Sequence, residues 1–271
     1  MQKVRKAVIP AAGYGTRFLP ITKIIPKELL PIGNKPAIQY VVEEAVEAGI
    51  EEIILVCNPH KVPIADFFRP DRYLNRFLEN QNKQKEIAEL KRIESLARIT
   101  VVYQEEAMGL GHSILCAEDA VEGEPFLVML PDVLILPAHT GAKQLVEECH
   151  KKMTWGFLLE RVPKEKISSY GIVKSVINPQ GDYVIHGAVE KPKVEDAPSD
   201  LSLLGRYLLP GDIFQYIDQQ KKGAKGEVQL TDALNDMAQK TPALGILNSG
   251  KIFDVGTPEG LSEIYFHLKS H

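Results

Sequence analysis

Cysteine is scarce in this chain, with Cys57, Cys116 and Cys149 the three among 271 residues. An odd number without metal-ligand spacing excludes a disulfide framework, and the apolar or helical context of each points to reduced thiols of a cytoplasmic protein. A basic excess is also lacking. Lys and Arg total 32 against 36 Asp and Glu, for a net charge of −4. That removes the broad cationic footprint that nucleic acid needs, so no nucleic-acid partner is expected. Any anionic ligand must then be met by a few local cations. No apolar run approaches the ~20 residues that span a bilayer, so no membrane partner is expected either. The N-terminal MQKVRKAVIPAAG has too short an apolar run to read as a signal peptide. Repeats and low-complexity tracts are absent. What the chain does have is a hydrophobic fraction of 44%, enough for one substantial core.

Apolar runs and helical patterns alternate through the first half. Strands are expected at Lys6–Ile9, Ile53–Cys57, Ile99–Tyr103 and Phe126–Leu130. Between them, Ile38, Val41, Val42, Ala45 and Val46 share one face of a helix at 36–48, and 113–121 and 142–151 read similarly. This alternation argues for a parallel sheet covered by helices, with ligands at the carboxyl ends of the strands. Beyond residue 155 strands follow one another at Gly156–Leu159, Gly171–Ile177, Tyr183–Val189, Leu203–Leu209 and Leu244–Leu247. The expectation is a three-layer α/β/α, Rossmann-like fold with a mixed central sheet and a β-rich second lobe. No Pro/Gly/Ser linker splits it, so 1–271 reads as one domain, with halves at about 1–155 and 156–271. Residues 69–98 carry Leu74, Phe77, Ile87, Leu90 and Ile93 at helical spacing, suited equally to a solvated excursion and to a subunit contact.

The most informative stretch is AAGYGTRFLPITKIIPKELLP at 11–31. A buried strand runs into Gly13 and Gly15, whose missing Cβ atoms let backbone N–H groups approach phosphate. Thr16 adds a hydroxyl, Arg17 a bidentate fork and Lys27 a point charge. Glycines after a strand also make ordinary turns, so the signal is the whole block. It is neither a P-loop nor a dinucleotide fingerprint, since no Gly-Lys-Ser/Thr follows and Phe18 replaces a third glycine. Asp132 ends the strand at LPDV, and Asp254 follows an apolar run in FDVG. Each caps its own loop or joins the other across a cleft to hold one Mg²⁺. In the second case their repulsion predicts that replacing Asp132 by Asn leaves stability intact or improved. Gln104 offers donor and acceptor to a pyrimidine edge, and Gly109 a flat backbone. Glu190 and Lys191 make an exposed ion pair or a site for a sugar phosphate, with Gly171 near the sugar ring.

These blocks carry a resemblance. The 11–31 block is followed in order by NKPAIQYVVEEAVEAGI at 34–50, QEEAMGLGHSILCAED at 104–119 and FLVMLPDV at 126–133. SYGIVK at 169–174, VEKPKVEDAPSDLSLLGRYLL at 189–209, GEVQLTDAL at 226–234 and FDVGTPEG at 253–260 come next. Together they resemble the sugar nucleotidyltransferases, and within them the UTP–glucose-1-phosphate uridylyltransferase family. TKIIPKE favours the uridylyl over the thymidylyl group, which is shorter there. The resemblance implies UTP and glucose 1-phosphate as substrates, Mg²⁺ as cofactor, and a homodimer or homotetramer. It implies that Gln104 and Gly109 contact uracil together with backbone from Ala11, Ala12 and Gly13. Arg17 and Lys27 would meet the departing phosphates, Asp132 and Asp254 the metal, and Glu190 and Lys191 the sugar phosphate. Val133 stands where many relatives carry a second acid. His112, Arg206 and Glu227 look like cleft residues without an assigned role.

Arg17 has no apolar periodicity asking it to pack. Arg17→Ala is expected to fold normally and to lose ~30-fold or more in turnover, since a bidentate phosphate contact is worth on the order of 2 kcal/mol in a transition state. Circular dichroism and steady-state kinetics on the same preparation check this.

Overall fold

The structure is a computed structural model and describes residues 2–59, 63–220 and 226–269. Its strands are β1 (Lys6–Ala11), β2 (Pro31–Ile32), β3 (Lys35–Pro36), β4 (Glu52–Cys57), β5 (Arg98–Tyr103), β6 (Phe126–Met129) and β7 (Val133–Leu136). They continue with β8 (Gly156–Arg161), β9 (Gly171–Ile177), β10 (Tyr183–Glu190), β11 (Leu201–Leu209), β12 (Ala243–Leu247) and β13 (Lys251–Asp254). The helices are α1 (Ala37–Glu47), α2 (Pro63–Asp66), α3 (Arg72–Asn80), α4 (Gln84–Glu94), α5 (Gly109–Leu115) and α6 (Glu118–Val121). After these come α7 (Ala142–Lys152), α8 (Ile213–Asp218), α9 (Leu230–Lys240) and α10 (Pro258–Lys269).

Among the described residues, nine strands form one sheet in the order β5-β4-β1-β6-β11-β8-β12-β10-β9. The first four are parallel, while β11 runs antiparallel to both β6 and β8. Val, Ile and Leu runs suit the interior of such a sheet, which is covered on its faces. All six residues of β4 and all nine of β11 are buried. From β1 the chain moves to β4 on one side, and β6 later pairs on the other. The carboxyl end of β1 is therefore a switch point, where open α/β sheets bind ligands. Helices pack on this frame, α5 against β1, α7 against β8 and β11, and α9 against β10. None of the described helices is long and apolar enough to cross a membrane.

The strand expectations hold to within two residues at each end. Among the departures from the expected elements, two bear on the site. The helix expected at 113–121 starts at Gly109 and breaks after Leu115, with α6 separate. Tertiary contact explains the early start, because the Gly111 N–H donates to the Val228 carbonyl at 2.9 Å and a Cβ on Gly111 would lie 2.8 Å from that oxygen. The second departure is a ribbon of β7 and β13, antiparallel and separate from the main sheet, that pairs Asp254 with Val133. In the 69–98 segment Leu74 and Phe77 on α3 are exposed, while Ile87 and Ile93 on α4 are buried. None of Cys57, Cys116 and Cys149 is in a disulfide, and burial pushes the Cys149 thiol up to about 12, so it resists ionisation.

The expectation that Arg206 lies in a cleft is wrong. Its side chain is fully buried, and all five of its N–H donors are used. Nε and Nη2 grip the Glu44 carboxylate of α1 at 2.8 and 2.7 Å. Nη1 donates to the Leu130 and Gly205 carbonyls, each at 3.1 Å, and Nη2 to the Val133 carbonyl at 2.7 Å. Glu44 in turn accepts the Ala142 N–H at the start of α7, at 2.8 Å. One ion pair thus holds α1, β11, α7 and the loop that carries Asp132. Its burial required a desolvated partner on another element, and no local pattern in the sequence shows that.

Removing either partner strands a buried charge, so Arg206→Met or Glu44→Met alone is expected to cost ~3–5 kcal/mol. The double variant should recover most of that stability but little activity, because the 130–133 loop loses its clamp. Thermal unfolding and turnover of all three variants check this.

Candidate active site

Two cavities open at the carboxyl edge of the parallel strands. The first, about 230 Å³, is lined by Arg17, Asp132, Asp254, Tyr170, Lys191 and Glu160 among others. These residues come from the loops after β1 and β6, the end of β13, the turns flanking β9 and β10, and β8. The second, about 260 Å³, is lined by Pro10, Ala12, Gly13, Gln104, Gly109, Ser113 and Glu227 among others. Gly13 and Arg17 belong to one loop, so a single segment borders both spaces.

The β7–β13 ribbon is what brings the two aspartates together. Both face Gly256, where an added Cβ would lie 3.0 Å from Asp132 Oδ2 and 3.1 Å from Asp254 Oδ1. The Gly256 N–H donates to Asp254 Oδ1 at 3.0 Å, and Arg17 Nη1 donates to the Gly256 carbonyl at 3.5 Å. Gly256 was not among the residues the sequence singled out, although it sits in the FDVG block. No cluster of three or more His, Cys, Asp or Glu side chains fit for a metal occurs among the described residues. Asp132 and Asp254 offer an all-oxygen set. That fits Mg²⁺, which keeps several waters and shares its shell with substrate phosphates.

Lys27 reaches Asp132, its Nζ donating to Oδ2 at 2.5 Å. Burial opposes the Lys27 charge, but Asp132, then Glu28 and Asp254, outweigh it and hold the ammonium above its usual range. Asp132 shows the reciprocal balance. Burial pushes its carboxyl up, yet attraction to Lys27, the hydrogen bond and Arg17 bring it below the usual carboxylate range. Asp254 goes the other way, raised by burial and by the Asp132 charge against weaker help from the Gly256 amide, Arg17 and Lys27. Two acids in one cavity are therefore pushed apart by their surroundings, a pattern frequent at functional sites.

The other residues singled out from the sequence fall into place unevenly. Lys191 adopts φ 45°, a left-handed backbone rare for a side chain of this size, and pairs with Glu190 at 3.0 Å. That turn brings Lys191 to the first cavity, while Glu190 stands behind it and accepts from Thr231 Oγ1 at 2.6 Å. Gly171 packs against Glu190 and Thr231, with 3.2 and 3.3 Å left for a Cβ. Gly15 is left-handed at φ 67° and packs on Thr22 and Lys27, so it shapes the loop and lines neither cavity, nor does Thr16. Ala11 is buried in the core, and Pro10 takes its place on the second cavity's wall. Gln104 is buried. Its Nε2 lies 3.2 Å from the Gly109 carbonyl and 3.0 Å from His112 Nδ1. The sequence missed Glu160, whose carboxyl burial raises, and Ser113, whose buried Oγ has no hydrogen-bond partner.

A family description for nucleotidyl transferases matches residues 6–270. The chain belongs to the nucleotidyl transferase family. It is 43% identical over 260 residues to the UTP–glucose-1-phosphate uridylyltransferase of Bacillus subtilis (strain 168), covering 96% of this chain and 89% of that protein. Solved structures agree. A UTP-bound UGPase from Acinetobacter baumannii superposes with a TM-score of 0.90 at 37% identity, covering 99% of this chain and 95% of that one. A UDP-glucose pyrophosphorylase complexed with UDP-glucose gives 0.87 at 39% identity, covering 99% of each chain.

The opposite shifts of the two aspartates overturn the expected effect of Asp132→Asn. Asp132 lies below its unfolded value, so its charge stabilises the fold at neutral pH, and that stability is lost as pH falls through the folded value. Asp254 lies above its unfolded value, so its charge costs stability at neutral pH and the cost disappears as pH falls. Without divalent metal at pH 7, Asp132→Asn is expected to cost on the order of 1–2 kcal/mol, because Lys27 loses its partner. Asp254→Asn should raise the unfolding temperature, with a gain that shrinks towards pH 4 or so. Thermal scans of both variants across pH check this.

Proposed function

We propose that this chain transfers a uridylyl group from UTP to α-D-glucose 1-phosphate, giving UDP-glucose and pyrophosphate. The observation that carries the reading is one cavity in which Arg17 and Lys191 face Asp132 and Asp254 at the switch point of the sheet. The similarity to UTP–glucose-1-phosphate uridylyltransferases over nearly the whole chain supports it. The domain is single, with a nucleotide half in about 1–155 and a sugar-phosphate half in about 156–271. The protein is cytoplasmic and works as a homodimer or homotetramer.

An oxygen of the sugar phosphate attacks the α-phosphorus of UTP in line, forming the new P–O bond as the bond to the β-phosphate oxygen breaks. A phosphate monoester is already largely ionised at pH 7, so no general base is needed. The work is alignment and charge neutralisation. Arg17 carries the departing phosphates, and Lys191 holds the sugar phosphate and screens its repulsion from the triphosphate. Glu190 aims Lys191 and accepts from sugar hydroxyls. Lys27 pairs with Asp132 and favours its ionised form, and would add its charge to that of Arg17 near the departing phosphates. Asp132 and Asp254 would hold Mg²⁺, which would offset charge on the phosphate oxygens. The base lies in the second cavity against Gln104, Gly109 and the backbone around Ala12 and Gly13.

Pyrophosphate release measured over UTP, dTTP, CTP and GTP with several sugar 1-phosphates should be fastest with UTP and glucose 1-phosphate. In Lys191→Ala, turnover should fall and KM for glucose 1-phosphate rise, while calorimetric UTP binding changes little. Release with no preference for UTP, or loss of UTP binding in the variant, would overturn the assignment.

A further inference from the structure

Gln104 can read a base only if its amide is held one way round. The Gly109 carbonyl, 3.2 Å from Gln104 Nε2, can only accept, so the atom facing it must be the NH₂ group. The second amide hydrogen needs an acceptor as well. His112 Nδ1, 3.0 Å from the same nitrogen, serves if it is the unprotonated ring nitrogen, with the proton on Nε2. Both donors of the amide are then used inside the protein. Its Oε1 accepts nothing from the described residues and is not sealed from solvent, and Gln104 lines the cavity. The wall offers a fixed acceptor. Beside His112 on α5, Ser113 also lines the cavity, but its unpartnered Oγ is itself sealed from solvent, so the acceptor this part of the wall presents is the Gln104 Oε1.

We propose that His112 is a positioning residue that locks the Gln104 amide with its carbonyl towards the base, so that the cavity selects a pyrimidine bearing N3–H. Uracil presents that N–H between two carbonyls. Cytosine presents an unprotonated N3, whose lone pair would face the Gln104 Oε1. Thymine shares the uracil edge, so this device separates UTP and dTTP from CTP and leaves the choice between the first two to other contacts. The inference rests on the second cavity being the base site, and its test therefore uses nucleotide binding without any sugar phosphate.

The test is calorimetry of UTP and CTP with Mg²⁺ on the wild type, His112→Leu and His112→Asn. Leu removes the acceptor, whereas the Asn Oδ1 can occupy the place of Nδ1. A site built to hydrogen-bond one edge rejects the mismatched one strongly, so the wild type should favour UTP by ~100-fold or more, and Leu should reduce that ratio by ~10-fold or more. Asn should restore most of it, which general damage to α5 would not allow, and thermal scans show whether each variant is folded. An unchanged ratio in folded His112→Leu, or equal wild-type binding of UTP and CTP, overturns the proposal while leaving the transferase reading in place. If UTP preference and its dependence on His112 are found but glucose 1-phosphate is not a substrate, the transferase reading fails and the proposal stands. Should Leu not fold, a folded His112→Asn without base preference overturns it, and one with the wild-type ratio supports it.

Discussion

The Arg206–Glu44 pair is the constraint on which the rest of the arrangement depends. A buried guanidinium is tolerable only when its charge is paired and every N–H is satisfied. Here that requirement recruits a carboxylate from α1 and three backbone carbonyls, two of them bracketing Asp132. The loop is held because the arginine has nowhere else to place its donors. Glu44 then extends the same network to the first N–H of α7. A hydrophobic replacement of both residues would serve stability as well, but it would bond no carbonyl and leave the Asp132 loop to its own preferences.

Charge in the first cavity is arranged at some cost to the fold. Asp132 has a resident partner in Lys27, whereas Asp254 is left facing a like charge across Gly256. The Gly256 N–H gives that second carboxylate a local partner, but not enough to offset its burial and the Asp132 charge. The opposed cations Arg17 and Lys191 come from loops, and Lys191 is held in a backbone region that its side chain disfavours. Unfavourable features concentrated in one place are a pattern frequent at functional sites. The second cavity follows a different rule. Its glycines, Gly109 and Gly111, let α5 start against the 227–229 segment, and that docking closes the wall carrying Gln104, His112 and Ser113.

Apolar periodicity by itself determined the strands, the parallel first half and the β-rich second half, because burial of Val, Ile and Leu runs leaves a chain of this composition few alternatives. The block at 11–31 likewise announced a loop at a strand end, since glycine and cation chemistry are local. Asp132, Asp254 and Lys191 were legible as candidates from their place after apolar runs. What only the tertiary structure decided is who meets whom. The β7–β13 ribbon, formed between segments more than a hundred residues apart, sets the two aspartates against Gly256. Long-range burial turned Arg206 from a cleft residue into a clamp and placed Lys27 on Asp132. Glu160 and Ser113 carry no local signal at all, for an acid on a strand and a serine in a helix are ordinary until a cavity forms around them. Local pattern encodes which residues are buried, but a side chain's charge state and partner depend on distances across the fold, and those exist only once the sheet has closed.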